Sequence, residues 1–503
     1  IPGRAYDSAD DSRGTCMNQK NRYLILFIAI VLLASALRFY ALDDRVFHHD
    51  EGVHGYLSYR LLKDGAYHYD PTYHGPFLYY TTAAIFKLFG DSNFTARLLP
   101  AVAGVLLVAL IYALRDQLGE TGALLTAAMI AISPSFLYYS RFLRNDTYIA
   151  LFSLVFVISA VKYIKYRSDW RRLIYVCTGA VAGALAICTK ENAYIIAGIF
   201  LPFVLGYLIA RKEMDISTAI DASLFALIFF TIFALVYTNF LTNPSALASV
   251  VPDAINHWVE MHRIKRIGGH WSFYLPILVR YELLITLFAL IGGIHYLKKR
   301  NMFMMFLLYW GLSSLIAYSY LQEKVPWLVL HILLPFVLIA GAYLGELLPS
   351  LSQRPKNVEA VMVLAIVLSA GLFIQQSIFI NYCENTASDE ITVHGIPVHG
   401  LIYVQTTSEV LDVVDFVDQR IHDDPNASIL VAAPENDYWP LPWYMRNYKG
   451  CGYLNKVPEH SDADIVIIPE SERHNITLDW RYSKREFTLR PGYEMVMYYY
   501  NPE

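Results

Sequence analysis

The sequence predicts an α-helical polytopic membrane protein with a small external α/β domain at its C-terminal end. Two observations carry this reading. Apolar residues make up 55% of the 503-residue chain and charged residues only 17%, against roughly 25% charged in soluble domains; mean hydropathy is +0.36. The apolar residues also gather into runs of about 20, the length a membrane helix needs, until about residue 380, where strand-like and amphipathic spacing takes over. The same figures exclude a disordered chain and an ordinary soluble enzyme. Net charge is −4, so no basic surplus invites nucleic acid. Five cysteines do not make a disulfide scaffold.

Residues 1–21 read as a disordered extension, with Met17 opening a natural start at MNQKNRYLILF. Residues 22–380 form the transmembrane domain. About eleven runs qualify as spans: 22–41, 94–114, 121–139, 145–163, 173–189, 191–210, 217–240, 273–297, 302–321, 326–347 and 357–379. The run 76–89, PFLYYTTAAIFKLF, is too short and reads as an interfacial or re-entrant helix. Lys and Arg in short loops set orientation. Lys20, Arg22, Arg115, Lys165, Arg167, Arg171, Arg172, Arg211 and Lys298–Arg300 fall on one side, which puts the N-terminus in the cytoplasm and the C-terminal segment outside. Residues 381–503 form the external domain. Val410, Val413, Val414, Val417 and Ile421 recur at helical spacing, and 428–433, 463–469 and 493–500 read as strands.

On the outer side, short turns collect ionisable residues. The first external loop, 43–93, contains FHHDEGVHGY (47–56); the next turns are YYSRFLRNDTY (138–148), CTKEN (188–192) and LQEKVPW (321–327). Solvated helix caps would be the plain explanation. Yet turns this short hold charge against the bundle, and a charge at mid-span costs about 2.5–3.5 kcal/mol. Cations placed outside, against the orientation bias, call for an anionic ligand. Asp50 and Glu51 are adjacent carboxylates, suited to a general base and its neighbour. His48, His49 and His54 beside them are metal-ligand types, although HHDExxH departs from the zinc-protease order. Arg280 and Glu282 lie roughly 10 Å inside the eighth span at 1.5 Å per residue. They form a local pair, or Arg280 meets a lipid phosphate. Cys383 and Cys451 share the external side and are candidates for a disulfide. Tyr438, Trp439, Trp443 and Tyr444 either stack on sugars or pack, with packing preferred.

Four segments in order resemble the GT-C integral membrane glycosyltransferases, in the protein-mannosyltransferase and aminoarabinose-transferase-like branch. They are the acidic pair Asp50-Glu51 after the first span, YYSRFLRNDTYIALF (138–152) with Asp146, GALAICTKENAYIIAGIFLP (183–202) with Lys190, and YLQEKVPWLVLHILLPFVLIAG (320–341) with Lys324 and Pro326. WPLPWYMRNY (439–448) is similar to a mostly archaeal, flippase-activity-associated subgroup. The resemblance implies sugar transfer, with inversion, from a polyprenyl-phosphate-linked donor on the external face, to a glycan, lipid or protein acceptor. The carboxylates Asp50, Glu51 and Asp146 would be catalytic, and Arg141, Arg144, Lys190, Arg280 and Lys324 would cradle the donor phosphate. No cofactor is required in this scheme; a divalent metal at His48, His49 and His54 is the alternative. The rival class is a flippase or flippase-associated protein that binds lipid-linked sugars without catalysis.

Overall fold

The computed structural model describes residues 11–65, 69–212, 215–263, 270–322, 324–383, 390–393 and 396–501. The helices run α1 (Asp11–Phe39), α2 (His49–Asp64), α3 (Phe77–Phe89), α4 (Asn93–Leu110), α5 (Arg115–Leu118), α6 (Glu120–Ile132), α7 (Pro134–Ser140), α8 (Asp146–Lys165) and α9 (Arg172–Ile187). They continue as α10 (Asn192–Arg211), α11 (Ile216–Tyr237), α12 (Ala246–Arg263), α13 (Tyr274–Tyr281), α14 (Leu283–Lys299), α15 (Met302–Tyr320), α16 (Val329–Ser350) and α17 (Lys356–Ile378). Among the described residues eight helices are long and apolar enough to cross a membrane, or ten if α6–α7 and α13–α14 each count as one bent span. The chain is an integral membrane protein.

This count falls short of the eleven expected spans. The run 173–189 becomes α9, a helix of 16 residues, short of the roughly 20 a crossing needs. Two other runs are broken, by 57° between α6 and α7 and by 105° between α13 and α14. At the first break Pro134 lacks an N–H and drives Ser133 out of helical geometry (ψ 129°). At the second, Glu282 leaves the helix, and its carboxylate accepts from Ser133 Oγ and Ser135 N, both at 2.8 Å. The two breaks are thus fastened to each other. The N-terminal extension also differs from expectation: α1 is already helical from Asp11, and residues 1–10 lie outside the described residues.

At the centre stands α16, with 89% of its most apolar window buried. Small residues let α6 approach it closely; a Cβ on Gly122 would lie 3.0 Å from Ala342 Cα. By contrast α11 and α17 are only 6% and 11% buried, and Ile220, Leu227, Val361 and Leu364 stand exposed, as on lipid-facing helices. The segment 43–93 is folded rather than open. It holds α2, a 3-10 turn at Pro71–Tyr73 and α3, the last at 13 residues too short to span, as its sequence indicates.

Past α17 come the antiparallel pair β1 (Glu390–Val393) and β2 (Ile396–His399), then α18 (Glu409–Asp423), β3 (Ile429–Ala432), α19 (Leu441–Tyr444), β4 (Cys451–Leu454), β5 (Ile465–Pro469), β6 (Tyr482–Arg490) and β7 (Tyr493–Tyr500). The sheet order is β4-β3-β5-β7-β6, with β3 parallel to β4 and β5, and β7 antiparallel to β5 and β6. Val410, Val413, Val414 and Val417 of α18 cover one face with Ile429, Val431, Ile465 and Ile467. Val466, Ile468 and Val496 fill the other. Strand β5 is buried along its whole length. Cys383 and Cys451 are free thiols, so the candidate disulfide is not formed.

Candidate functional site

The site grows from the N-terminus of α2. His48 is the N-cap: its Nδ1 accepts from Asp50 N at 3.0 Å, and Glu51 accepts from His48 N at 3.2 Å, closing a capping box. Because Nδ1 accepts, Nε2 carries the proton and donates to the Tyr403 carbonyl. Burial pushes the His48 imidazole down to about 4. Glu51 points inward and is fully buried. Arg97 grips it at two points, Nε–Oε1 2.7 Å and Nη2–Oε2 2.6 Å, and Leu143 N donates to Oε1 at 2.9 Å. Burial raises the Glu51 carboxyl, but the Arg97 charge outweighs it and holds it below its usual range.

Asp50, one residue earlier, turns the other way. Its Oδ2 accepts from Arg144 Nη1, and His49 Nδ1 lies 3.1 Å from Oδ1. Arg144 Nε in turn lies 3.5 Å from Asp146 Oδ2, at the start of α8. Asp146 is held further by Lys190 Nζ, 3.4 Å from both carboxylate oxygens, and by His331 Nε2 at 3.1 Å. Asp50, Arg144, Asp146 and Lys190 therefore form one chain of alternating charge. Trp327 roofs it, with Arg144 Cζ 3.4 Å and Lys190 Nζ 5.9 Å from a ring centroid of its indole. Asp50 keeps 26% of its side-chain surface open, against 7% for Arg144, 1% for Asp146 and 5% for Lys190. Burial pushes the Asp50 carboxyl up; Arg144 and His49 outweigh it and hold the group well below the usual carboxylate range.

Beside this chain, His54 and His74 bring their rings within 6.5 Å of each other. Tyr79 Oη donates to the Tyr73 carbonyl at 2.6 Å, so His54 Nδ1, 2.8 Å away, is the donor to that hydroxyl. His54 Nε2 is then left with its lone pair. His74 Nδ1 lies 2.9 Å from Glu191 Oε2, and Tyr69 Oη donates to Oε1 at 2.9 Å. Backbone bonds from Gly75 N to Thr189 O and from Phe77 N to Cys188 O pin this loop to the turn that carries Lys190. Burial lowers both imidazoles, His54 well below its ordinary value.

Three residues that the sequence groups with the site, Arg141, Arg280 and Lys324, make their contacts elsewhere. Arg141 donates to the carbonyls of Leu37, Arg38, Tyr40 and Ala41, capping the end of α1. Arg280 is on the exposed side of α13, 5.3 Å from the Tyr281 ring. Its expected partner Glu282 instead serves the α7 backbone. Lys324 is buried and donates to Leu321 O at 2.5 Å; burial lowers its ammonium. The histidines His48, His49 and His54 face Tyr403, Asp50 and Tyr79 respectively. Successive residues on a helix point about 100° apart, which separates them. Among the described residues no three His, Cys, Asp or Glu side chains gather as a metal site.

The C-terminal domain closes over the same helix. Trp443 stacks on Phe47 (centroids 4.9 Å apart) and donates to Asn93 Oδ1 at 2.8 Å, Arg446 bonds Asp91, and Tyr444 Oη accepts from Phe47 N at 2.9 Å. The aromatic cluster is therefore packing, as preferred on sequence grounds, at least for Trp443 and Tyr444.

A family model described as dolichyl-phosphate-mannose-protein mannosyltransferase matches residues 73–247, a range that takes in Arg144, Asp146 and Lys190 and begins after Asp50. The structure of ArnT from Cupriavidus metallidurans bound to undecaprenyl phosphate superposes with a TM-score of 0.63, at 15% identity, over 94% of this chain and 98% of that one. The chain has the GT-C fold. The archaeal oligosaccharyltransferase AglB from Archaeoglobus fulgidus, in complex with an inhibitory peptide and a dolichol-phosphate, shares the GT-C fold at 14% identity and a TM-score of 0.57, over 90% of this chain and 70% of that one. So does the mycobacterial arabinofuranosyltransferase AftD, at 12% identity and 0.51, over 96% and 40%. No curated protein matches the chain.

Proposed function

We propose that the protein is a membrane glycosyltransferase that moves a sugar from a polyprenyl-phosphate-linked donor to an acceptor hydroxyl on the external face, with inversion. The observation that carries this reading is the partly open Asp50 carboxylate at the mouth of the buried Arg144–Asp146–Lys190 chain. In the proposed step the acceptor oxygen attacks the anomeric carbon from the side opposite the phosphate. The carbon–phosphate-oxygen bond breaks, polyprenyl phosphate leaves as an anion, and the hydroxyl proton passes to Asp50. A carboxylate held at low pKa accepts that proton late, once bond formation has made the hydroxyl acidic.

The leaving phosphate needs positive charge more than it needs an acid. Arg144 Nε is buried without a hydrogen bond, and Lys190 sits at a loose 3.4 Å from Asp146, so both can turn donors toward a phosphate. Glu51 is assigned a positioning role, since Arg97 and two backbone amides occupy it. The scheme runs without a metal, on these cations alone. The basic loops favour a cytoplasmic N-terminus and an external site.

The test uses purified protein in lipid with a panel of polyprenyl-phosphate sugars and candidate acceptors, following release of polyprenyl phosphate with and without EDTA. Release by wild type and not by Asp50→Asn is expected, unchanged by EDTA. Saturable binding without release across the panel would instead support a non-catalytic, flippase-associated role.

A further inference from the structure

A second cationic site lies apart from the Asp50–Asp146 chain. A cavity of about 170 Å³ opens where α1 and α17 end, lined by Tyr40, Leu42, Asp44, Arg45, Arg141 and Tyr382 among others. None of Asp50, Arg144, Asp146 or Lys190 lines it. We propose that this pocket binds a phosphate group, as a lipid headgroup or a free anion, through Arg45; the inference is independent of the function proposed above.

The argument is one of uncompensated charge. Arg45 is only 8% exposed, yet among the described residues its one hydrogen bond runs from Nη2 to the Arg141 carbonyl at a long 3.3 Å. Its Nε is buried with no partner. The guanidinium lies over the rings of Tyr138 (4.4 Å) and Phe142 (5.6 Å), and it forms no ion pair among the described residues. Of the other two arginines on the pocket, Arg97 is neutralised by Glu51. Arg141 gives its donors to neutral carbonyls and meets no carboxylate among the described residues. The acidic residue present, Asp44, is exposed to solvent. Two buried guanidinium charges thus face one solvated carboxylate that acts on Arg141, while Glu51 acts on Arg45 only from within its own pair with Arg97; a buried charge lacking its own counter-charge is strongly destabilising.

An anion entering the cavity would meet the Arg45 donors directly, with Arg141 adding charge. A guanidinium fork suits the oxygens of a phosphate, and the cavity is ample for that group. Location favours a lipid source. The apolar windows of α1 and α17 are just 22% and 11% buried, as on lipid-facing spans, and the ends of spanning helices meet headgroups.

The test measures the melting temperature of delipidated protein in a neutral detergent, titrated with phosphatidylglycerol in mixed micelles or with inorganic phosphate. Wild type should show a saturable upward shift that Arg45→Gln loses and Arg45→Lys partly keeps. A shift with phosphatidylglycerol alone assigns a lipid headgroup; a shift with inorganic phosphate alone assigns a free anion. Should Arg45→Gln not be recovered folded, Tyr40→Trp reports on the wild-type pocket, since Tyr40 lines it and is 69% exposed. Its fluorescence should change saturably with the active probe. No saturable response to either probe, or a shift kept in full by Arg45→Gln, overturns the proposal.

Discussion

Glu51 and Arg97 meet in a two-point ion pair, 2.7 and 2.6 Å, with the Glu51 side chain wholly buried and that of Arg97 only 1% exposed. The pair fixes the first turn of α2 and so aims Asp50 outward. Breaking such a pair from one side strands a charge, at about 3–5 kcal/mol. Glu51→Gln and Arg97→Met should each lower the unfolding temperature sharply. The double variant should lose less than the two single losses added together, because neither charge is then left alone. Denaturant unfolding of the three variants in detergent decides it, and simple additivity would refute the pairing.

Asp50→Asn should lower the unfolding temperature moderately, since Arg144 loses one of its two carboxylate partners and keeps Asp146, while cutting turnover by about 10²- to 10⁴-fold, the range a lost general base accounts for. Asp50 is partly open and its pairing with Arg144 sits at the site's mouth, so an amide can occupy its place. Single-turnover release of polyprenyl phosphate, beside a melting curve, separates chemistry from folding.

Lys190→Met should weaken binding of polyprenyl phosphate by about 10- to 100-fold, the worth of one charge-assisted hydrogen bond. The expected loss is in affinity for the phosphate. A binding titration with polyprenyl phosphate, which needs no acceptor, reads this directly; unchanged affinity would remove Lys190 from the phosphate cradle.

Stability should fall as pH drops from about 6.5 to about 4. An unfolded imidazole titrates near 6.5, whereas burial puts His48 at about 4 and lowers His54 and His74 in the same direction. In that window the unfolded chain binds protons that the folded one refuses, so stability rises with pH. The contribution is complete above about 6.5 and is lost as pH approaches the folded values. One such histidine gives at most about 1.4 kcal/mol per pH unit. Asp50 and Glu51, held below their ordinary values, lose their share only at lower pH. Melting temperatures from pH 7.5 to 4.5 should show the slope, and His48→Asn, which keeps a capping side chain, should flatten it.

Asp50, Arg144, Asp146 and Lys190, which the fold brings together, are legible as a group because each stands at a helix end in a short polar turn. Arg141 is not distinguishable from Arg144 by composition, because the course of the turn decides which side chain faces the site and which the end of α1. Arg97 was missed: it lies inside an apolar run, where its only trace was a charge out of place. His331 left a similar trace, an ionisable residue within a span. The broken spans follow from Pro134 and Glu282, but Glu282 reads as an ion-pair partner of Arg280 until the α7 backbone is seen beside it. Strands β4 and β6 escaped because the first is short with no buried apolar run and the second is mostly polar. Their partners, rather than their own residues, make them strands.

The last prediction concerns the contact that carries the C-terminal domain. Gly52 and Gly55 are buried on α2 against the Trp439–Trp443 segment. A Cβ on Gly52 would lie 2.5 Å from Pro440 Cβ and 2.8 Å from Pro440 Cα, and one on Gly55 would lie 2.9 Å from Trp443 Cε3. Backbone and a packed indole yield little, so Gly52→Ala and Gly55→Ala should each cost about 1–3 kcal/mol through overpacking. The strain falls on the helix that holds Asp50, two and five residues away, so release of polyprenyl phosphate should drop in both variants. Limited proteolysis should then cut more readily near residue 400, where the chain enters the domain. Gly198→Ala is the control: a Cβ there meets nothing within 4 Å, and in mid-helix alanine should be neutral or slightly stabilising. Equal protease resistance in all three variants would mean that the domain is held by other contacts, and that α2 tolerates a methyl on this face.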